Sequence, residues 1–366
     1  MNRRANTLMM FLMTLILLTS CELRPLSDLN KNLLLRLRVN LQIQNVTETP
    51  KVEVMRVIFY DPKTNRRFTE DYVPSEGGYI SVPPGDYKLI IYNFDTESTL
   101  IRNDAQLYQM EAYTNEISQQ LKNKAFSVIE RSKSEIEKGA PSRRVRTRAE
   151  GDTLNIEDDD IVGDTISNED KEWAESMDGI ENTKIVYEPD HLFVARDNVT
   201  ILNDVEEQVV EVEAETVVET YYLSVRVKNI KHMASANALL TGQIGSNFIG
   251  YPTEEGKSDD NVSLYFPLYA ATDETENDKV HSTFNTFGKM PGKETKLWLT
   301  IFLTTQSGQT VEWHKDITEE FMDNPDHKIE IEEDAIIVPD PPAGTGGGGF
   351  QPGVSEWEEE NHYIEL

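Results

Sequence analysis

The chain has 366 residues, enough for two domains of ordinary size. Its 65 Asp and Glu against 35 Lys and Arg give a net charge of −30, which argues against a partner bound through phosphates, such as nucleic acid. A single cysteine, Cys21, excludes an intrachain disulfide, and with it a thiolate zinc centre or a thiol nucleophile in the body of the fold.

Residues 1–20 read as an export signal. Arg3 and Arg4 precede an apolar run from Leu8 to Leu18, which is too short to cross a bilayer, a task needing about 20 apolar residues. Leu18-Thr19-Ser20-Cys21 has the form of a bacterial lipobox, with cleavage expected between Ser20 and Cys21 and acylation on the Cys21 sulfur. Several acyl chains make a stable membrane anchor, because each buried methylene adds about 0.8 kcal/mol. The competing reading, a buried apolar thiol, does not account for the segment in front of it.

A tether over 21–32 leads into an alternating segment from Leu33 to Ile43. Leu33, Leu35, Leu37, Val39, Leu41 and Ile43 fall on one face, and Arg36, Arg38, Asn40 and Gln42 on the other. Period two over that length predicts a half-buried strand. Further strands are expected over Val52–Tyr60, over Tyr79–Val82, and after the turn Pro83-Pro84-Gly85-Asp86 over Tyr87–Phe94. Ile117, Leu121, Ala125 and Val128 then recur at helical spacing, with Gly139 placed to end that helix.

Nine basic residues against three acids over 122–148, then twelve acids against Lys171 alone over 152–182, predict a disordered charged insertion over about 140–182. Arg143-Arg144-Val145-Arg146-Thr147-Arg148 within it reads as charge offset for the acidic run, with an Arg-specific processing site as the sharper alternative. Strand patterning returns at Lys184–Tyr187 and Leu192–Ala195, then at Tyr221–Lys228, Val262–Leu268, Lys296–Thr304 and Lys328–Glu332. Leu297–Leu303 is apolar on both faces, as a central strand should be. The pattern implies two antiparallel β-sandwich domains, over 33–205 and 206–340, followed by a Gly/Pro linker over 341–353 and a final strand over 354–366.

Chemistry-bearing motifs are weak. Gly344, Gly346 and Gly349 satisfy GxGxxG, but no strand precedes them and no helix can follow, so a linker is the reading. The six histidines are scattered, with no metal-ligand spacing. Neither a catalytic constellation, nor a metal, nor a cofactor is indicated. The final segment carries Val354, Trp357, Tyr363, Ile364 and Leu366, and either closes its own sheet or pairs with another molecule's sheet edge by strand addition. A separate possibility is glycan binding on exposed aromatics, with Trp173, Trp298, Trp313 and Trp357 as candidates and Trp298 expected in the core.

Taken together, the lipobox, the early strand, the Pro83-Pro84-Gly85-Asp86-Tyr87 turn, Glu188-Pro189-Asp190-His191-Leu192-Phe193, Ser282–Gly288 and the terminal Gly linker with Trp357 resemble the Bacteroidales fimbrillin-type lipoproteins. That group includes anchor subunits of type V fimbriae. The resemblance implies two transthyretin-like or Ig-like β-sandwiches, a lipid anchor in the outer membrane at the cell surface, fimbrial or pilin subunits as partners, and no enzymatic activity. In the group's shaft subunits a first strand is cut away after an Arg. Here Arg36 and Arg38 lie inside the predicted first strand, which favours an uncleaved anchor or accessory subunit that offers 354–366 as donor strand.

Overall fold

A computed structural model describes residues 33–42, 50–138 and 166–340, apart from 204, 206, 272–277, 292–295 and 323. The first strand, β1 (Leu33–Gln42), forms where the alternation places it. Leu35, Leu37 and Val39 are buried while Leu34, Arg36, Arg38 and Asn40 face water. It is followed by β2 (Val54–Tyr60), β3 (Arg67–Pro74), β4 (Gly77–Val82) and β5 (Gly85–Asn93). A three-stranded sheet takes β6 (Thr99–Arg102) and β7 (Glu111–Thr114).

Helix α1 (Gln119–Glu137) ends next to the insertion, and α2 (Asn168–Ser176) follows it. After β8 (Lys184–Tyr187) come β9 (Phe193–Ile201) and β10 (Glu207–Thr216), then β11 (Glu219–Lys228) and β12 (Met233–Ile244). The rest is β13 (Ser246–Phe248), β14 (Asn261–Ala270), β15 (Lys279–Thr286), β16 (Trp298–Thr305), β17 (Thr310–Asp316), α3 (Thr318–Met322) and β18 (Lys328–Ile337).

The first sandwich is one seven-stranded sheet in the order β3-β2-β5-β9-β10-β1-β4. Its two end strands are joined by the turn at Ser75–Glu76, so the sheet curls round a core of Leu35, Leu37, Val57, Leu89, Phe193 and Ala214. Gly77 makes this close approach possible. A Cβ there would lie 2.1 Å from the Leu37 carbonyl oxygen, and its φ of +102° is one that side chains disfavour.

The second sandwich orders β17-β16-β12-β14-β15-β11-β18, with β8 added parallel to β14. Leu223, Leu240, Phe266, Phe284, Leu299 and Ile331 fill its interior. β16 is buried on both faces, as its composition implies. Leu299, Ile301 and Leu303 face the interior, while Trp298 and Phe302 meet α1 and α2 on the outside. The all-β fold of two sandwiches is therefore present. A third apolar cluster, with Tyr60, Ile90 and Val194 from the first sheet and Ile244, Ile249 and Phe287 from the second unit, joins the two.

Two boundaries differ from expectation. The sheets do not divide at 205/206. β10 completes the first sheet, so the crossing lies at the buried Val217 and Val218, and residues 115–138 and 166–187 leave the first unit to give α1, α2 and β8 to the second. The cause is non-local pairing, which local composition does not encode.

The expected disorder also stops short of 182. Residues 166–182 are ordered, with Trp173, Met177 and Ile180 buried against the second sandwich. Ser167 and Asp170 form a reciprocal capping box that starts α2, so two of its acids serve the helix N-terminus instead of repelling one another in solvent.

Candidate anchoring and assembly surfaces

β1 is held on both edges. It runs parallel to β10, with Leu37 opposite Val210, and antiparallel to β4, with Leu35 opposite Ile80. The Arg36 guanidinium sits 5.6 Å from the centre of the Tyr79 ring, and Arg38 Nη1 donates to Glu211 Oε1 at 2.7 Å. Both arginines are thus engaged on a strand whose backbone is committed to two neighbours. A protease that needs an extended, unpaired segment finds none here.

The registers place the start of β1 and the finish of β18, the first and last described strands, at opposite ends of the two sandwiches. At the start of β1 lie the end of β4 (Leu33 opposite Val82), the start of β5 and the end of β9 (Gly85 opposite Ile201), and the end of β2 (Tyr60 opposite Lys88). Turns at 61–66 and 83–84, and the chain at Leu202 and Asn203 after β9, lie at this tether end. Each is pinned. Asp61 Oδ1 accepts from the Lys63 and Thr64 amides at 2.9 and 2.8 Å, Tyr87 Oη donates to the Pro83 carbonyl at 3.0 Å, and Gln208 Oε1 accepts from the Leu202 amide at 3.0 Å.

At the other end of the first sheet, β10 crosses into β11, which runs away from the junction. β12 returns, and its continuation through β13 sets Tyr251 against Tyr108 with ring centres 4.8 Å apart. β18 runs parallel to β11, so it finishes at the remote end, where the Val338 amide donates to the Lys228 carbonyl at 3.0 Å. His232 Nε2 approaches Asp340 Oδ1 there at 3.4 Å. Ser20 and Cys21, and the donor-strand candidates Val354, Trp357, Tyr363, Ile364 and Leu366, lie outside the described residues.

The aromatic candidates for a glycan platform do not present themselves. Trp173, Trp298 and Trp313 are all buried, and Trp357 lies outside the described residues. Trp173 Nε1 donates to Thr300 Oγ1 at 3.0 Å, and its ring stacks on His314 at 4.2 Å. His314, also buried, sets Nε2 3.0 Å from Asp170 Oδ1 and Nδ1 2.8 Å from Glu312 Oε1. Its two carboxylate partners stand on opposite sides of the ring, a geometry that clasps α2 to β17 and does not converge on one ion. Among the described residues no group of His, Cys, Asp and Glu is placed to hold a metal.

At the junction, a cleft of about 680 Å³ is lined by Arg102, Glu111, Tyr113, Lys184 and Asp260. Its charges are paired within it: Arg102 donates twice to Glu111 at 2.7 Å, and Lys184 Nζ lies 2.5 Å from Asp260 Oδ2. Beside it the Glu188-Pro189-Asp190-His191 segment ties the units together. Asp190 Oδ2 accepts from the Glu97, Ser98 and Thr99 amides at 2.7, 2.5 and 3.1 Å. Glu188 accepts from the Asn285 amide at 3.1 Å, and burial nevertheless pushes its carboxyl up to about 7.

Comparison with known proteins follows the same lines. One curated relative, "Putative fimbrium anchoring subunit Fim4B" from Bacteroides ovatus, is 34% identical over 106 residues, which is 29% of this chain and 31% of that protein. The matched region thus spans less than a third of the relative's length. A crystal structure of "a putative adhesin from Bacteroides ovatus" superposes with a TM-score of 0.51 at 22% identity, covering 88% of this chain and 98% of that one. It shares the fold. "The fimbrial anchor protein Mfa2 from Porphyromonas gingivalis" aligns over 81% of this chain and 89% of that one, at 12% identity and a TM-score of 0.39. The fimbrillin-type resemblance read from the sequence agrees with the curated relative. The profile of DUF5119, a domain of unknown function, matches residues 20–150 and 144–266, more than half of the chain, and the protein belongs to that family.

Proposed function

We propose that the protein is a non-enzymatic outer-membrane lipoprotein, a fimbrial anchor or accessory subunit held through acylated Cys21, with 354–366 pairing with a pilin subunit by strand addition. The observation that carries this reading is the separation of the start of the first described strand from the finish of the last. β1 begins at one end of the first sandwich and β18 finishes at the end of the second sandwich remote from the junction. A tether and a partner-binding segment can then act without obstructing each other.

The seat of β1 supports an uncleaved subunit, because a strand paired on both edges keeps its own groove filled. The Bacteroides ovatus relative described as a fimbrium anchoring subunit supports the same role over the region it matches. Buried Trp173, Trp298 and Trp313 weigh against the glycan-binding alternative.

The test is truncation after Gly349. Co-purification with a pilin subunit is expected to disappear while the thermal transition of the two sandwiches stays in place. Retained pilin binding by the truncated protein would remove the donor-strand role.

A further inference from the structure

We infer that the tether end of the first sandwich is itself a lipid-contacting surface, seated on the bilayer that holds the anchor. This rests on the lipoprotein reading above and goes further, because it assigns a contact to the folded body and not only to the acylated cysteine.

Several exposed side chains at this end are apolar, standing among polar ones such as Lys63, Thr64, Asp86 and Asn203. Leu34 is 45% exposed, Phe68 53%, Leu202 46% and Val205 37%, and Pro84 is exposed between them. These residues come from four separate places in the chain, the start of β1, the start of β3 and two turns. The strand registers bring them to one end. Exposed apolar residues gathered at one site mark a contact surface, whereas scattered ones carry no meaning.

Gln208 holds the chain just before the second of these turns, its Oε1 accepting from the Leu202 amide at 3.0 Å and its Nε2 donating to the Thr200 carbonyl at 2.8 Å. Phe68 is braced on Tyr87 with ring centres 5.2 Å apart.

The length of chain in front of β1 selects a membrane over another occupant. Twelve steps separate Cys21 from Leu33, so a fully extended tether reaches about 40 Å and a flexible one averages about 20 Å. The remote end of the second sandwich lies at least one ten-residue strand further, about 33 Å. Any bilayer holding Cys21 therefore sees the tether end at high effective concentration, and a weak apolar contact suffices. The exposed Tyr72 and Phe94, which pack edge to face at 5.2 Å, lie on the first sheet near its junction end, where no tether begins.

The test uses the full acylated chain in vesicles of phosphatidylethanolamine and phosphatidylglycerol. Because acylation blocks Cys21, an Asn203→Cys variant carries one nitroxide at the tether end, and a Ser307→Cys variant carries one at the remote end. Acylation is confirmed by mass spectrometry and membrane association by flotation. The label at 203 is expected to gain oxygen accessibility and lose accessibility to a water-soluble nickel complex on reconstitution, while the label at 307 does not change. In a Cys21→Ser background without acyl chains, replacing Leu202 and Val205 together by Ser is expected to weaken vesicle binding about tenfold. Acylated protein that floats with both labels equally hydrated overturns the lipid-contacting surface and leaves the anchor reading standing. Protein that is neither acylated nor membrane-associated overturns both.

Discussion

The two sandwiches solve the same problem differently. The first closes a single curling sheet over one core, and the outward faces of β1 and β10 meet water directly, with ion pairs such as Arg38–Glu211 along them. The second has an outer sheet face too apolar to expose, and it covers that face with α1 and α2 around Trp173, Trp298 and Phe302. The lesson is that the charged stretch between β7 and β8 is not an appendage to the first unit. Its two flanks are the cover of the second.

The sharpest way to break this contrast is at Trp173. Trp173→Ala removes a fully buried ring, the bond to Thr300 and the stack on His314, and should lower unfolding stability by about 3–5 kcal/mol in a denaturant titration. A tryptophan in an unstructured insertion would show no change.

Leu37→Ala tests the first sandwich at its most committed strand. A loss of about 2–5 kcal/mol is expected, since the residue is buried with β10 on one side and β4 on the other. If the loss is under 1 kcal/mol, β1 is not part of the folded core and the argument for an uncleaved subunit fails.

How much of this was legible in the sequence divides along the same line. β1, β2, β5 and β16 could be read because each carries its own burial pattern, alternating in β1 and continuous in β16. The helix at 168–176 could not be read by composition, since acids dominate it. Its signal was positional: Ser167 and Asp170 at capping-box spacing, then Trp173, Met177 and Ile180 at intervals of four and three.

Nothing local marks β10 as a partner of β1, more than 160 residues earlier in the chain, or β8 as a strand of the second unit. The same limit applies to the functional surface. Leu34, Phe68, Leu202 and Val205 look like isolated exposed residues until the registers bring them to one end.

Smaller effects sharpen the picture. Asp170→Asn keeps the shape of the clasp but removes a charge facing His314 in a buried site, and should cost about 1–3 kcal/mol. Hydrogen exchange in 168–176 should speed up more than in β1. The reverse order would show that the clasp does not secure α2.

Glu188 makes the junction sensitive to pH. Its carboxyl is raised from 4.5 to about 7 in the folded protein, so the fold keeps a proton that the unfolded chain has released. Stability from this group is fully present below pH 4.5 and is lost as pH rises through 7, by about 1–2 kcal/mol after allowing for its partial exposure. Glu188→Gln should flatten that part of the melting-temperature profile. An unchanged slope would assign the pH dependence elsewhere. Least of all, Arg38→Ala should change stability by under about 1 kcal/mol, because the pair with Glu211 is exposed.

Lysine-directed cross-linking of the native protein, in complex with a pilin subunit that co-purifies with it, tests the central claim most directly, because lysines mark both ends. Cross-links from the pilin are predicted to fall on Lys228 and Lys231, beside the point where β18 finishes, and not on Lys63 at the tether end. Cross-links concentrated on Lys63, with Lys228 and Lys231 untouched, would contradict an anchor that holds the membrane at one end and its partner at the other.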